Sequence, residues 1–112
     1  MSAKKKLARQ KFRDEVLKRD RSLCAICKTP DNVEIHHIAD RTQMPGGGYV
    51  RENGITLCKE HLEQAELYLH SESGEMEKDA ELGALTPKKL YLKIGSSYDK
   101  ALKASQRLEG IH

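Results

Sequence analysis

Three cysteines and one histidine stand in two short pairs that could hold a metal ion. Cys24 and Cys27 are separated by two residues, and Cys58 and His61 repeat that spacing further along the chain. Three thiolates and an imidazole suit Zn²⁺, which takes four such ligands in a tetrahedron and then has no open position for chemistry. Because three cysteines cannot all pair within one chain, metal binding is favoured over disulfides. The spacing predicts one structural zinc ion.

A histidine doublet, His36-His37, lies between these pairs. The run 33–38 alternates and carries β-branched residues, which predicts a strand. Neighbouring strand residues point to opposite faces, so both imidazoles cannot face one partner in a regular strand. A long loop over 39–48 follows, and its three consecutive glycines could let the backbone approach a ligand closely or could simply connect a hairpin. A histidine that lies only at the surface is the plain alternative for either ring.

Other elements must position these residues. An amphipathic pattern predicts a short helix over 10–18, with Phe12 and Val16 on one side. A second strand is expected at about 55–57 and a helix over 58–70. Near the C-terminus, Thr86-Pro87 is typical of a helix start. Ser96 or Ser97 should cap a last helix to about 108 that points four side chains inward: Tyr98, Ala101, Leu102 and Ala104.

Composition indicates one small domain with appendages. The chain has 112 residues, 38% of them apolar, with one Phe and no Trp, so the core is thin and a stapling metal would help. We expect a basic arm over 1–9 that is disordered without a partner, a core over 10–71, an acidic linker over 72–84 and a helical extension over 85–112. No apolar run approaches the roughly 18 residues of a membrane span. A soluble, cytoplasmic protein without a membrane partner is therefore expected.

Charge is segregated along the chain. Residues 1–21 carry nine Lys or Arg against three acids, and residues 85–112 carry six against two, although the net charge is only +3. Two basic ends favour a polyanionic partner such as DNA. A solubilising lysine tail with a solvated helix face explains the same pattern.

The order of motifs over about residues 10–70 resembles the HNH endonuclease family. The shared features are CxxC, the histidine doublet, the glycine-rich loop ending in Tyr49, Glu52-Asn53-Gly54, and CxxH. The resemblance implies an α+β protein with a small ββα-metal core, an N-terminal helix, a structural zinc and a helical C-terminal extension. It also implies a bacterial or phage-encoded enzyme that hydrolyses DNA phosphodiester bonds.

The same resemblance implies roles for individual residues. His37 matches the general base that takes a proton from water, His36 matches a ligand of the catalytic Mg²⁺ or Mn²⁺, and Asn53 matches the residue that keeps the base oriented. Arg41 and Arg51 flank the loop and could clamp phosphate oxygens, although solvated surface arginines are an equal reading. The basic N-terminal segment adds four expected DNA contacts: Lys4, Lys5, Lys6 and Arg13.

One position departs from the family pattern. Relatives with this zinc site usually carry a second metal-binding histidine where this chain has Leu62. Glu66 lies one helical turn further on and matches a position where some members carry a ligand, although a solvated glutamate is an equal reading. The alternative function is a zinc-stabilised DNA-binding module whose active site has decayed. A monomer and a weak dimer both remain open.

Overall fold

The computed structural model describes residues 3–69 and 85–108. Helix α1 spans Ala3–Asp20, strands β1 and β2 span Val33–His37 and Gly54–Cys58, and helix α2 follows at Lys59–Leu69. Helices α3 (Pro87–Lys93) and α4 (Tyr98–Ser105) come last, and short 3₁₀ turns occupy the loop between the strands. The strands form a two-stranded antiparallel sheet. This mixture of helix and sheet confirms the α+β class.

The pairing register sends the two histidines to opposite faces of the sheet. His36 pairs with Ile55, and His37 pairs with Gly54. Side chains directly opposite each other lie on the same face, so His36 shares a face with Ile55, which is fully buried in the main core. The other face, with His37 and Gly54, lies against α1, because a Cβ at Gly54 would stand 2.6 Å from the ring of Phe12.

Helix α1 is longer than its apolar pattern predicts. It begins at Ala3, so residues 3–9 are helical, whereas a disordered arm was expected. Alanine, leucine, lysine and arginine are all strong helix formers, which lets the helix extend beyond the segment that packs on the sheet. Lys4, Lys5 and Lys6 therefore lie in its first turns.

The C-terminal end of α1 is fastened to β2 by two neighbouring side chains. Arg19 donates to the carbonyl oxygens of Arg51 and Gly54, both at 2.7 Å. Asp20 accepts from the backbone N–H of Thr56 at 2.9 Å and pairs with Arg19 at 2.8 Å. Bonds to charged groups contribute about 1.5–3 kcal/mol each. This clamp holds α1 across the sheet face that carries His37.

The main core lies on the opposite face of the sheet. Ile55 and Leu57 of β2 pack with Ala65 of α2 and with residues of the two C-terminal helices, among them Leu90, Tyr91 and Ala101. The C-terminal helices begin as expected, since Thr86 and Ser97 accept from backbone N–H groups as N-caps.

Three of the four side chains expected to point inward from α4 are at least partly buried. Ala101 and Ala104 are buried and Leu102 is half-buried. Tyr98 is 45% exposed, because it is the first residue of α4. The acidic segment 72–84 lies outside the described residues. In the described part of the chain, no helix is both long and apolar enough to cross a membrane.

Candidate metal centre and histidine site

The two ligand pairs meet at one point. The ligand atoms of Cys24, Cys27, Cys58 and His61 all lie within 4.8 Å of one another. The sulfurs of Cys27 and Cys58 are 3.7 Å apart, and Nδ1 of His61 is 3.6 Å from the Cys24 sulfur and 3.2 Å from the Cys58 sulfur. Zn–S bonds of about 2.3 Å in a tetrahedron separate ligand atoms by about 3.6–3.8 Å. The four residues therefore fit a single structural zinc ion.

Backbone hydrogen bonds position these four ligands. The N–H of Lys28 donates to the Cys24 carbonyl at 2.9 Å, and Lys28 adopts a left-handed φ of 66°, which closes the first pair into a tight loop. The N–H of Ala25 donates to the Thr56 carbonyl, so this loop is tied to β2. Cys58 ends β2 and His61 lies in the first turn of α2. Zinc would join the loop to the β2–α2 junction.

The thiols favour a bound cation. Burial raises the pKa of the Cys24 thiol, but hydrogen bonds from the backbone at Cys27, Cys58 and Ile26 outweigh it and lower the pKa to about 6. A backbone hydrogen bond at Thr29 lowers the pKa of Cys27, yet desolvation and the sulfurs of Cys24 and Cys58 raise it overall. A second thiolate is thus disfavoured beside the first, and a divalent cation removes that repulsion.

His36 is buried in the main core, at 7% exposure. Burial lowers its pKa to about 4, so the ring is neutral at pH 7. Within residues 3–66 and 85–108, the cysteine–histidine centre is the only group of three or more potential ligands close enough to share a metal ion. Leu62 packs half-buried against the core, and Glu66 is exposed. The described residues include no group of three ligands that contains His36 or Glu66, and a catalytic cation held by these two residues stays a prediction.

His37 lies within a cluster of aromatic rings. Its ring stacks on Phe12 with centroids 4.8 Å apart and a 23° angle, and Tyr49 meets it edge-on at 4.8 Å. Nε2 of His37 is buried and receives no hydrogen bond from the described part of the chain. Burial, followed by the positive charge of Arg41, lowers its pKa to about 4. The ring is neutral at pH 7 but shielded from water on its Nε2 side.

Asn53 is hydrogen-bonded to the loop that connects β1 to β2. It is fully buried, and its Oδ1 accepts from the N–H of Ala39 at 2.9 Å and from the hydroxyl of Tyr91 at 2.7 Å. Its Nδ2 donates to the carbonyls of Ala39 and Gly48. The Asn53 carbonyl also accepts from the N–H of Ile38, the residue after His37. Asn53 thus sets the position of the loop beside His37.

Four of the six predicted DNA-binding residues line two clefts. One of about 320 Å³ is lined by Lys5 and Arg41, and one of about 820 Å³ is lined by Lys4 and Arg51. Tyr49 lines both clefts. Arg51 also forms an exposed ion pair with Glu15 at 3.8 Å, which contributes little to stability. Lys6 and Arg13 are exposed and line neither cleft.

Four residues of this region were not predicted to be site residues. Phe12 and Tyr49 enclose His37, Arg9 lies over the Tyr49 ring at 5.0 Å, and Tyr91 holds Asn53. Only Tyr49 carried a sequence signal, since it directly follows the glycine run. The others come from segments far away along the chain.

No family model, curated protein or solved structure matches this chain. What the structure itself establishes is a small α+β protein whose Cys₃His group can bind one metal ion.

Proposed function

We propose that this chain is a metal-dependent DNA endonuclease of the HNH type, in which the Cys₃His zinc site stabilises the fold and His37 is the general base. The observation that carries the proposal is the connection between Asn53 and the end of β1. Asn53 is hydrogen-bonded through its backbone and side chain to the two residues that follow His37. This is the role that the resemblance gives to the asparagine.

His37 would accept a proton from the water that attacks a DNA phosphorus atom. Its neutral state at pH 7 leaves a ring nitrogen able to accept a proton. Contact with water would raise the pKa of His37 toward its ordinary value, because burial is the largest cause of its depression. Displacing the ring of Phe12 or Tyr49 would admit that water, so catalysis would require a side-chain rearrangement when DNA binds.

The proposed mechanism also involves a divalent cation. His36 is buried on the core face and Glu66 is exposed, so a Mg²⁺ or Mn²⁺ ion held by these two residues is without support from their burial. The alternative, a zinc-stabilised DNA-binding module without catalysis, is favoured by this observation and by the rings that cover His37.

Nicking of supercoiled plasmid separates these functions. Wild-type protein should nick in Mg²⁺ or Mn²⁺, and His37→Ala should lose at least about a hundredfold in rate while keeping its zinc and its DNA affinity. The matched control is Lys18→Gln, on the exposed side of α1, which should nick at the wild-type rate. A His37→Ala rate within a few-fold of wild type removes His37 from the reaction.

A second variant tests the decayed-site alternative. If the wild type does not nick with any divalent cation and Leu62→His restores nicking, the chain is a binding module that has lost a ligand. If Glu66→Ala raises the cation concentration needed for half-maximal nicking, Glu66 is a ligand in the active conformation. No change in cation dependence or rate would make Glu66 a surface residue.

A further inference from the structure

The smaller cleft concentrates positive charge between α1 and the loop after β1. Its lining includes three cations, Lys5, Arg9 and Arg41, and one carboxylate, Asp40. That carboxylate already accepts from the backbone N–H of Thr42 at 3.1 Å, as the cap of a 3₁₀ turn. The lining therefore contains more cationic than anionic side chains, which favours an anionic ligand.

Two of these cations are held on a single ring. The guanidinium of Arg41 donates to the hydroxyl of Tyr49 at 3.1 Å, and the guanidinium of Arg9 lies over the face of the same ring, 5.0 Å from its centroid. Like charges drawn together in this way repel each other. Contacts with Tyr49 partly offset the repulsion, and a shared anion would offset it more fully.

The ring itself is rigidly placed. Phe12 and His37 pack against it, and a Cβ at Gly47 would stand 2.8 Å from it. Gly47 also has a φ of 83°, where other residues are strained. Gly47 therefore lets the loop backbone lie close to Tyr49, and this packed ring is the surface that Arg9 and Arg41 both contact. A preorganised contact surface distinguishes a binding site from a solvated basic surface.

We propose that this cleft binds a backbone phosphodiester group of DNA, held by Arg9, Arg41 and the hydroxyl of Tyr49. The two guanidinium groups supply charge-assisted hydrogen bonds, and the tyrosine hydroxyl, which accepts from Arg41, retains a hydrogen to donate to a phosphate oxygen. Assigning the phosphate to DNA rests on the proposed endonuclease function, whereas the anion site rests on the cleft alone. Because Tyr49 also contacts His37, this phosphate would lie beside the one that is cut.

The test is a titration followed by amide NMR shifts of Gly46, Gly47 and Tyr49, at constant ionic strength. The probes are inorganic phosphate and the tetranucleotide (dT)₄. Both should give saturable shifts at these amides, and (dT)₄ should bind more tightly. Arg41→Gln should weaken binding of both probes at least about tenfold, the worth of one charge-assisted bond. Tyr49→Phe, which keeps the ring but frees Arg41, should weaken it several-fold.

Lys18→Gln is the matched control. It also removes one positive charge, but Lys18 lies on α1 and lines neither cleft. It should bind both probes within twofold of wild type. Arg41→Gln should also lower the salt dependence of (dT)₄ binding by about 0.7 in the slope of log affinity against log salt. Equal losses in Arg41→Gln and Lys18→Gln, or an absence of saturable shifts, overturn the proposal. Binding of inorganic phosphate alone would make this a free-phosphate site and also overturn it.

Plasmid nicking by the same wild-type sample separates this proposal from the proposed function. If wild type binds (dT)₄ through Arg41 but does not nick the plasmid, the endonuclease function is refuted and phosphate binding in the cleft is supported. If wild type nicks, and Arg41→Gln nicks at the same rate with unchanged (dT)₄ affinity, phosphate binding in the cleft is refuted and the endonuclease is supported.

Discussion

Replacing Asn53 with alanine should be among the most damaging single changes in this protein. The side chain is fully buried and satisfies two donors, the N–H of Ala39 and the hydroxyl of Tyr91. Both donors are themselves in buried residues, at 3% and 4% exposure, so water does not readily replace the amide. Each buried donor left without a partner costs about 1–3 kcal/mol. Asn53→Ala should therefore lower the free energy of unfolding by about 2–6 kcal/mol, a large share of the 5–15 kcal/mol typical of a domain.

A double-mutant cycle with Tyr91→Phe isolates this interaction. In the wild type, Tyr91→Phe removes one hydrogen bond while Asn53 still accepts from Ala39, so it should cost about 1 kcal/mol. In the Asn53→Ala background the tyrosine hydroxyl has already lost its acceptor. Removing it there should cost nothing or should stabilise the protein, which gives a coupling of about 1–2 kcal/mol between the two positions.

Urea unfolding followed by far-ultraviolet circular dichroism measures all four proteins. Zinc must be held at one saturating concentration, since ligand binding shifts apparent stability. Unchanged m-values would show that the variants alter stability and not the extent of unfolding. If Tyr91→Phe costs the same in both backgrounds, the two side chains are not in contact in solution and the account of the loop is wrong.

Three further predictions concern the metal, the packing of α1 and the buried histidine. Elemental analysis of purified protein should find one zinc ion per chain, and chelation should unfold it; folded protein without zinc contradicts the site. Gly54→Ala should cost about 1–3 kcal/mol in urea unfolding, because its Cβ would stand 2.6 Å from Phe12 and 2.7 Å from Val16; an unchanged midpoint would mean that α1 does not rest on β2. The imidazole NMR signals of His36 should not titrate between pH 8 and about 5, since burial lowers its pKa to about 4. The unfolded chain binds that proton below about pH 6.5, so His36 should contribute a loss of stability as pH falls from 6.5 toward 4.

The resemblance to HNH endonucleases rests on local motifs and stays a prediction until nicking is measured. The metal centre has stronger support, because its four ligand atoms lie within 4.8 Å of one another, close enough to bind one metal ion. The helical extension is also supported in part, since two capped helices form within 85–108 and contribute Leu90, Tyr91 and Ala101 to the core.

Local patterns in the sequence were sufficient for the metal ligands and most of the elements. Each ligand pair depends on two-residue spacing, and the strands and capped helices depend on periodicity and on short side-chain-to-backbone bonds. Such signals involve neighbours along the chain, so they can be read before any folding is known. The N-terminal limit of α1 was missed because its first turns have helix propensity but no apolar side to mark them.

Tertiary packing alone decided how His37 is enclosed and which charges converge near it. Phe12 reaches His37 because Arg19 and Asp20 fasten α1 across the sheet, and Tyr91 reaches Asn53 from a helix 38 positions away. The convergence of Arg9 and Arg41 on Tyr49 likewise joins two separate segments. Residue types and spacing do not encode these contacts, because each depends on the angle at which a whole element packs. The sequence therefore determined which residues could do chemistry, and the fold determined which face each one presents.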